Sequence, residues 1–328
     1  MIFNAPAFQQ IPSRLVLSLM KPVGTMFHMR SLARLAAHAV LAAALVVSAS
    51  MTAAAQSRMP IVRDAEIEAL VRDYARPIFK AAGLTRSPVE IVLINDPSFN
   101  AFVVGRRMFI NTGALMQAET PNEIIGVIAH EAGHIAGGHQ ERLREQVARA
   151  QTMAIVATLL GAGAIAAGAA TKSGELAQAG GGIVAGGSEV ARRGLLSYQR
   201  GEEAAADRSA ITYLQATKQS AKGMISTFER FQSALSLSGA RVDPYQVSHP
   251  MPRERIANLQ QLAASSPYYD KTDPAALQDR HDMMRAKIAV FTQGQGAAAR
   301  LLRKLQGTVA GQYADAMQTY LYGNLQSA

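Results

Sequence analysis

His130 and His134 stand four residues apart in Ile128-Ala129-His130-Glu131-Ala132-Gly133-His134. On a helix that spacing puts them about 40° apart around the axis and one turn apart along it, so both imidazoles can converge on one Zn²⁺. Glu131, rotated by about 100° from His130, addresses a water beside the metal rather than the metal itself. Zinc lowers the pKa of such a water to about 7, and a nearby carboxylate can take its proton as it attacks a carbonyl carbon. The bland alternative is a pair of solvated helix histidines with a chance glutamate. The apolar run Ile124-Ile125-Gly126-Val127-Ile128 argues against it, because it marks a buried helix. The 328-residue chain has no cysteine, which excludes a disulfide framework, a zinc ribbon and a thiol nucleophile. Any metal site must therefore be built from His and carboxylates.

A catalytic zinc needs a third protein ligand. His139 lies five residues after His134, where the extended three-histidine motif requires six. If the helix continues, five residues is about 140° of rotation, which leaves His139 a surface or packing histidine. Glu203 is the better candidate, in Glu203-Ala204-Ala205-Ala206-Asp207 on a helix expected over 201–216. Glu203 and Asp207 share one helix face, so one can ligate the metal while the other accepts the free ring N–H of a ligating histidine. Two acids on a helix are more often a solvated face; only the two-histidine pattern makes them informative.

The elements that would position these residues are readable in outline. Apolar residues recur at three and four from Asp64 to Ala82, predicting a helix that Gly83 ends and Pro77 kinks or splits. Val89–Ile94 reads as a strand, and 100–104 with 108–111 as a hairpin turning at Gly105-Arg106-Arg107. Thr120-Pro121-Asn122-Glu123 has the form of a capping box with proline at the first helical position, opening what is expected to be the longest helix. The fold class expected is α+β, mainly helical, with a small sheet.

Taken together, Pro121-Asn122-Glu123, His130-Glu131-Ala132-Gly133-His134 and the Glu-x-x-Ala-Asp at Glu203–Asp207 resemble the HtpX, Oma and CAAX-prenyl-protease family of zinc metallopeptidases. Asn100-Ala101-Phe102 and His249-Pro250-Met251-Pro252 with Arg255-Ile256 are similar to its exported bacterial BepA-like branch. The resemblance covers about two hundred residues, Asp64 to Leu262. It implies a gluzincin-type fold, one Zn²⁺ per chain held by His130, His134 and Glu203, and Glu131 as catalytic base. It also implies that the strand with Asn100, Ala101 and Phe102 is an edge for an extended substrate. In that branch the His249 equivalent can take the fourth zinc position and plug the site; otherwise His249 is a loop residue fixed by two prolines. His281 reads as a plain surface residue.

Residues 1–55 read as an upstream leader followed by a secretory signal peptide. From Met29 a basic start, the apolar run Leu35–Val47 and Ala53-Ala54-Ala55 follow in order. This segment holds four basic residues and no acid, so the exported protein would carry +5 rather than the +9 of the whole chain. Export to the periplasm also sets aside nucleic acid as a partner. Residues 56–265 would form the metallopeptidase domain and 266–328 a helical extension with, at most, part of a tetratricopeptide repeat. Ala150–Thr171 carries no charge and is long enough to span a bilayer, yet the metal ligands on either side must meet at one ion. The Gly-rich return segment is too short to span, so 150–190 reads as a mobile lid or a hairpin leaning on a membrane. The expected function is periplasmic endopeptidase acting on misfolded outer-membrane or envelope proteins. The alternatives are a latent, chaperone-like envelope factor and a membrane-embedded relative.

Overall fold

The computed structural model describes residues 60–238, 249–250, 253–292 and 296–323. The leader and signal-peptide expectation, and Met251 and Pro252, lie outside the described residues. The elements in chain order are β1 (Ile61–Val62), α1 (Ala65–Ala81), β2 (Glu90–Ile94), β3 (Ala101–Val104), β4 (Arg107–Asn111), α2 (Thr112–Gln117) and α3 (Pro121–Gly137). They continue with α4 (His139–Thr171), α5 (Gly174–Ala216), α6 (Lys222–Ser238), α7 (Arg253–Ala264), α8 (Ala275–Phe291), α9 (Ala297–Leu305) and α10 (Val309–Tyr322). This is the expected mainly helical α+β fold.

Asp64 caps α1 by accepting from the backbone N–H groups of Glu66 and Ile67, which would otherwise be unpaired donors. The helix runs unbroken past Pro77, so of the kink or split expected there the split does not occur. The proline costs one hydrogen bond to the carbonyl of Asp73, and both residues are exposed, so water can satisfy the freed oxygen. The sheet order is β1-β2-β4-β3, with β2 parallel to β4 and the other pairs antiparallel. The β3–β4 hairpin turns at Gly105, whose φ of +60° suits glycine. β3 is therefore an edge strand.

α3 is the buried centre of the fold. Every residue from Pro121 to His134 is buried, so its apolar character surrounds the helix instead of forming a stripe. The capping box does not form: Thr120 makes no side-chain cap bond. Glu123 instead pairs with Arg230 of α6 at 2.8 Å. The Asn122 carboxamide donates to the Ser220 carbonyl and accepts from the Gly223 N–H, each at 2.8 Å. A tertiary partner thus takes the Glu123 carboxylate that a capping box would have used. With 17 residues α3 is not the longest helix either; α5 has 43.

The uncharged stretch 150–171, expected as a mobile lid or a hairpin, is helical. α4 and α5 form an antiparallel helical hairpin joined at Lys172 and Ser173. A Cβ on Gly161 would come within 2.5 Å of the Gly180 carbonyl oxygen, and one on Gly180 within 2.5 Å of the Gly161 oxygen. The glycines expected to be flexible hold the two helices in backbone contact. Among the described residues one helix, α4, is long and apolar enough to cross a membrane.

The C-terminal helices share the core that contains Ile67, Tyr74 and Ile128, contributing Met284, Ile288 and Leu301. Lys287 of α8 reaches Asp64 and Glu66 of α1, each at 2.8 Å. His281 is fully buried, contrary to the surface reading. Its Nδ1 lies 3.0 Å from the Tyr74 hydroxyl and its Nε2 3.0 Å from the Ala118 carbonyl. A carbonyl can only accept, so Nε2 carries the proton and Tyr74 O–H donates to Nδ1. The ring is a satisfied neutral group in an apolar core, and burial lowers its pKa to about 4.

Candidate metal centre

His130 and His134 project from the second half of α3 toward α5. Gly133 allows that approach: a Cβ there would lie 2.9 Å from the Ala206 carbonyl oxygen. The close crossing brings Glu203 and Asp207 of α5 to the histidines, and His249 enters from the chain before α7. One donor atom from each of His130, His134, Glu203 and His249 lies within 4.8 Å of all the others, and all four residues are buried.

The pairwise distances show what this cluster can hold. His130 Nε2 is 3.0 Å from His134 Nε2 and 3.3 Å from His249 Nδ1. Glu203 Oε2 is 3.4 Å from His130 Nε2, Glu203 Oε1 is 3.4 Å from His134 Nε2, and both oxygens are 3.1 Å from His249 Nδ1. Ligands 2.0–2.1 Å from a tetrahedral ion lie about 3.3 Å from one another. The donor set therefore fits a small divalent cation.

Partners behind the ligands set which ring nitrogens carry protons. His130 Nδ1 is 3.0 Å from Asp207 Oδ1. It donates there, which leaves Nε2 to face the cluster as the atom that would ligate a metal. His134 Nδ1 is 2.9 Å from His139 Nδ1, and His139 Nε2 is 3.1 Å from Glu202 Oε2. Glu202 accepts from His139, whose Nδ1 then accepts from His134, and His134 Nε2 is a lone pair. This places His139 in contact with His134, not rotated away from it. The rotation argument failed because α3 ends at Gly138, a left-handed cap with φ +64°, and His139 opens a new helix.

Arg255 completes the cluster. Its guanidinium holds Asp207 by two hydrogen bonds, one of 2.7 Å from Nη2 to Oδ1. Its Nη1 lies 2.8 Å from Glu203 Oε2 and donates to the Pro250 carbonyl at 3.1 Å. Burial disfavours charge on both acids, but the cationic neighbours outweigh it and hold Glu203 and Asp207 below the usual carboxylate range. Burial and the nearby His130 push His134 down to about 2. Burial disfavours charge on His130, but its bonds to Asp207 and Glu203 override that and raise it to about 9, so Nε2 holds a proton that a cation would have to displace. This field favours one positive charge at the centre.

Glu131 is also fully buried, and neither carboxylate oxygen makes a hydrogen bond. His249 Nε2 lies 3.4 Å from Glu131 Oε1 without hydrogen-bond geometry. Desolvation raises the Glu131 pKa, which suits a proton acceptor poised for a base's work. Glu131, His134, Glu203 and His249 line a cleft of about 200 Å³ together with Phe102 and Val103 of edge strand β3. Ala101 is in the same strand, and Asn100 just precedes it, its carbonyl accepting from Asn111 N–H at 2.9 Å.

Residue typing alone had missed Glu202, the contact role of His139, and Arg255 as the bond between both acids. Only the paired Gly137-Gly138 signalled the helix break that turns His139 back.

The sequence profile of Peptidase family M48 matches residues 61–263. The β-barrel assembly-enhancing protease of Escherichia coli K12 is 23% identical over 286 residues, covering 79% of this chain and 55% of that protein. The Yersinia pestis protein of the same name is 24% identical over 275 residues, covering 80% and 53%. The metalloprotease YcaL of E. coli K12 is 29% identical over 190 residues, covering 57% and 68%. The chain thus spans about half the length of the assembly-enhancing proteases that it matches.

Proposed function

The chain belongs to peptidase family M48 and is a metallopeptidase; from that premise we propose that it is a zinc-dependent endopeptidase of the bacterial periplasm. The observation that carries this is the buried convergence of His130, His134 and Glu203 beside the unbonded carboxylate of Glu131. His130, His134 and Glu203 hold the zinc, and Asp207 orients His130. When bound, zinc supplies Lewis acidity that activates a water and polarises a peptide carbonyl. Glu131 Oε takes the proton of the attacking water and returns it to the leaving amine. The extended substrate lies along β3, its backbone paired with the edge at Ala101 and Val103.

His249 acts as a plug. Its Nδ1 faces both His130 and Glu203 while its Nε2 approaches Glu131, so the ring stands between base and ligands. A water cannot share that space, and the site is latent until His249 leaves. His249→Ala is expected to raise basal casein cleavage several-fold; unchanged activity at equal zinc content contradicts the plug.

The substrates proposed are misfolded or misassembled envelope proteins; relatives named as β-barrel assembly-enhancing proteases support a role beside β-barrel proteins. A second observation supports work at a membrane surface. Leu159 and Leu160 on the hairpin are 68% and 62% exposed, and Ile155 60%. They stand in a segment without charge, where large exposed aliphatics have no solvent partner. Flotation with vesicles of bacterial phospholipid should carry the protein upward, and Leu159→Glu with Leu160→Glu should leave it at the bottom. Wild type remaining unbound contradicts the membrane contact.

A further inference from the structure

The free edge of β3 is shorter than the strand. Residues 100, 102 and 104 face β4: the register pairs Phe102 with Phe109 and Val104 with Arg107, and Asn111 N–H donates to the Asn100 carbonyl. In an antiparallel ladder the alternate residues, 101 and 103, then turn their N–H and C=O groups outward. Gly105, at the turn, continues this outward row. Two of these outward groups are already bonded. The side-chain N–H of Gln140 donates to the Val103 carbonyl, and its carbonyl oxygen accepts from Gly105 N–H at 2.8 Å. One carboxamide thereby brackets the last two outward groups of the edge as the backbone of an added strand would.

Gln140 comes directly after His139, in the first turn of α4. That turn joins the metal ligand His134, through His139, to the substrate edge, through Gln140. Gln140 also lines the cleft with Phe102, Val103, Glu131 and His134. A chain entering the cleft can pair with Ala101 and with Val103 N–H but meets the carboxamide at Val103 C=O.

We propose that Gln140 is a register-setting residue: it ends the substrate-binding edge at Val103, and so fixes how many residues of a bound chain pair with β3 on the Gly105 side of the scissile bond. This rests on the reading of β3 as a substrate edge. It adds a defined end to that edge and a specificity determinant that touches backbone rather than side chains. Gln140 does no chemistry, so its removal changes how much chain is bound and not the step at the carbonyl.

The test separates binding from turnover. Fluorescent unstructured peptides, lengthened one residue at a time from either end, are titrated by anisotropy against Glu131→Gln and against Glu131→Gln combined with Gln140→Met. Methionine keeps the length of the side chain without the amide. With Gln140 present, affinity should rise with length at one end and then level off. With methionine the plateau should come about two residues later, with affinity several-fold higher for the longest peptides. Superimposable length curves overturn the proposal, and absence of binding at every length overturns it together with the substrate edge. Normal binding with no cleavage even by His249→Ala counts against the peptidase reading alone and leaves the length curves to decide this one. Gln140→Glu keeps an acceptor for Gly105 N–H but offers no donor to Val103; it should give an intermediate plateau, which a merely structural role for residue 140 would not produce.

Discussion

Individual side chains carry two kinds of weight here: some would hold an ion, and others set the protonation of those that do. Asp207 and His139 belong to the second kind, one behind each histidine of α3. Replacing Asp207 with Asn, or His139 with Ala, should weaken zinc binding by about 10–100-fold in competition with a chromogenic chelator; unchanged affinity would remove them from the site's account. The neutral His281 gives a prediction about pH. Its folded pKa of about 4 is below the ordinary value of 6.5, so the unfolded chain takes up the proton first. Stability is therefore fully present above pH 6.5 and is lost as pH falls toward 4, by at most about 3 kcal/mol. Urea midpoints at pH 7 and pH 4.5 should differ more for the wild type than for His281→Gln, which cannot titrate; equal differences contradict this. Helical spacing, a local property, grouped His130 with Glu131 and His134, and Glu203 with Asp207; the two sets were joined only by the need for a third ligand and by the family resemblance. Sequence alone misplaced His139 and His281, whose settings depend on a helix break and on the packing of α8 against α1.

Among elements, the crossing of α3 and α5 decides the site. Gly133→Ala puts a methyl carbon within 2.9 Å of the Ala206 carbonyl oxygen, closer than real contacts permit. The helices must separate by some tenths of an ångström, which moves Glu203 away from both histidines. The expected result is a folded protein, by circular dichroism, with zinc affinity reduced at least tenfold; full affinity would show that the crossing tolerates the methyl. Strands β2 to β4 and helix α1 were readable because period-two and period-3.6 patterns and the Gly83 stop are local. α5 was read only from Gly201, although it begins at Gly174. Each glycine in a helix costs about 1 kcal/mol relative to alanine, so Gly180-Gly181-Gly182 looks like a break. Contact between Gly180 and Gly161 across the hairpin outweighs that local cost, and no single-helix argument contains it.

For the whole molecule, a metal held by this cluster would join parts that are far apart in sequence: α3, α5 and the chain before α7. A ligand that binds only the folded state stabilises it in proportion to the logarithm of its concentration over Kd. Chelation should therefore lower the thermal midpoint of the full chain, and added zinc should restore it. A midpoint indifferent to both would contradict a metal held across these elements. The most direct test of the central claim compares His249→Ala with His249→Ala combined with Glu131→Gln, each purified with its metal measured, on casein and on an unfolded outer-membrane protein. The account predicts about one zinc per chain in both proteins, cleavage by His249→Ala, and at least about 10²-fold slower cleavage when Glu131→Gln is added. Equal rates with and without the Glu131 carboxylate, or a protein that binds no zinc, would contradict it.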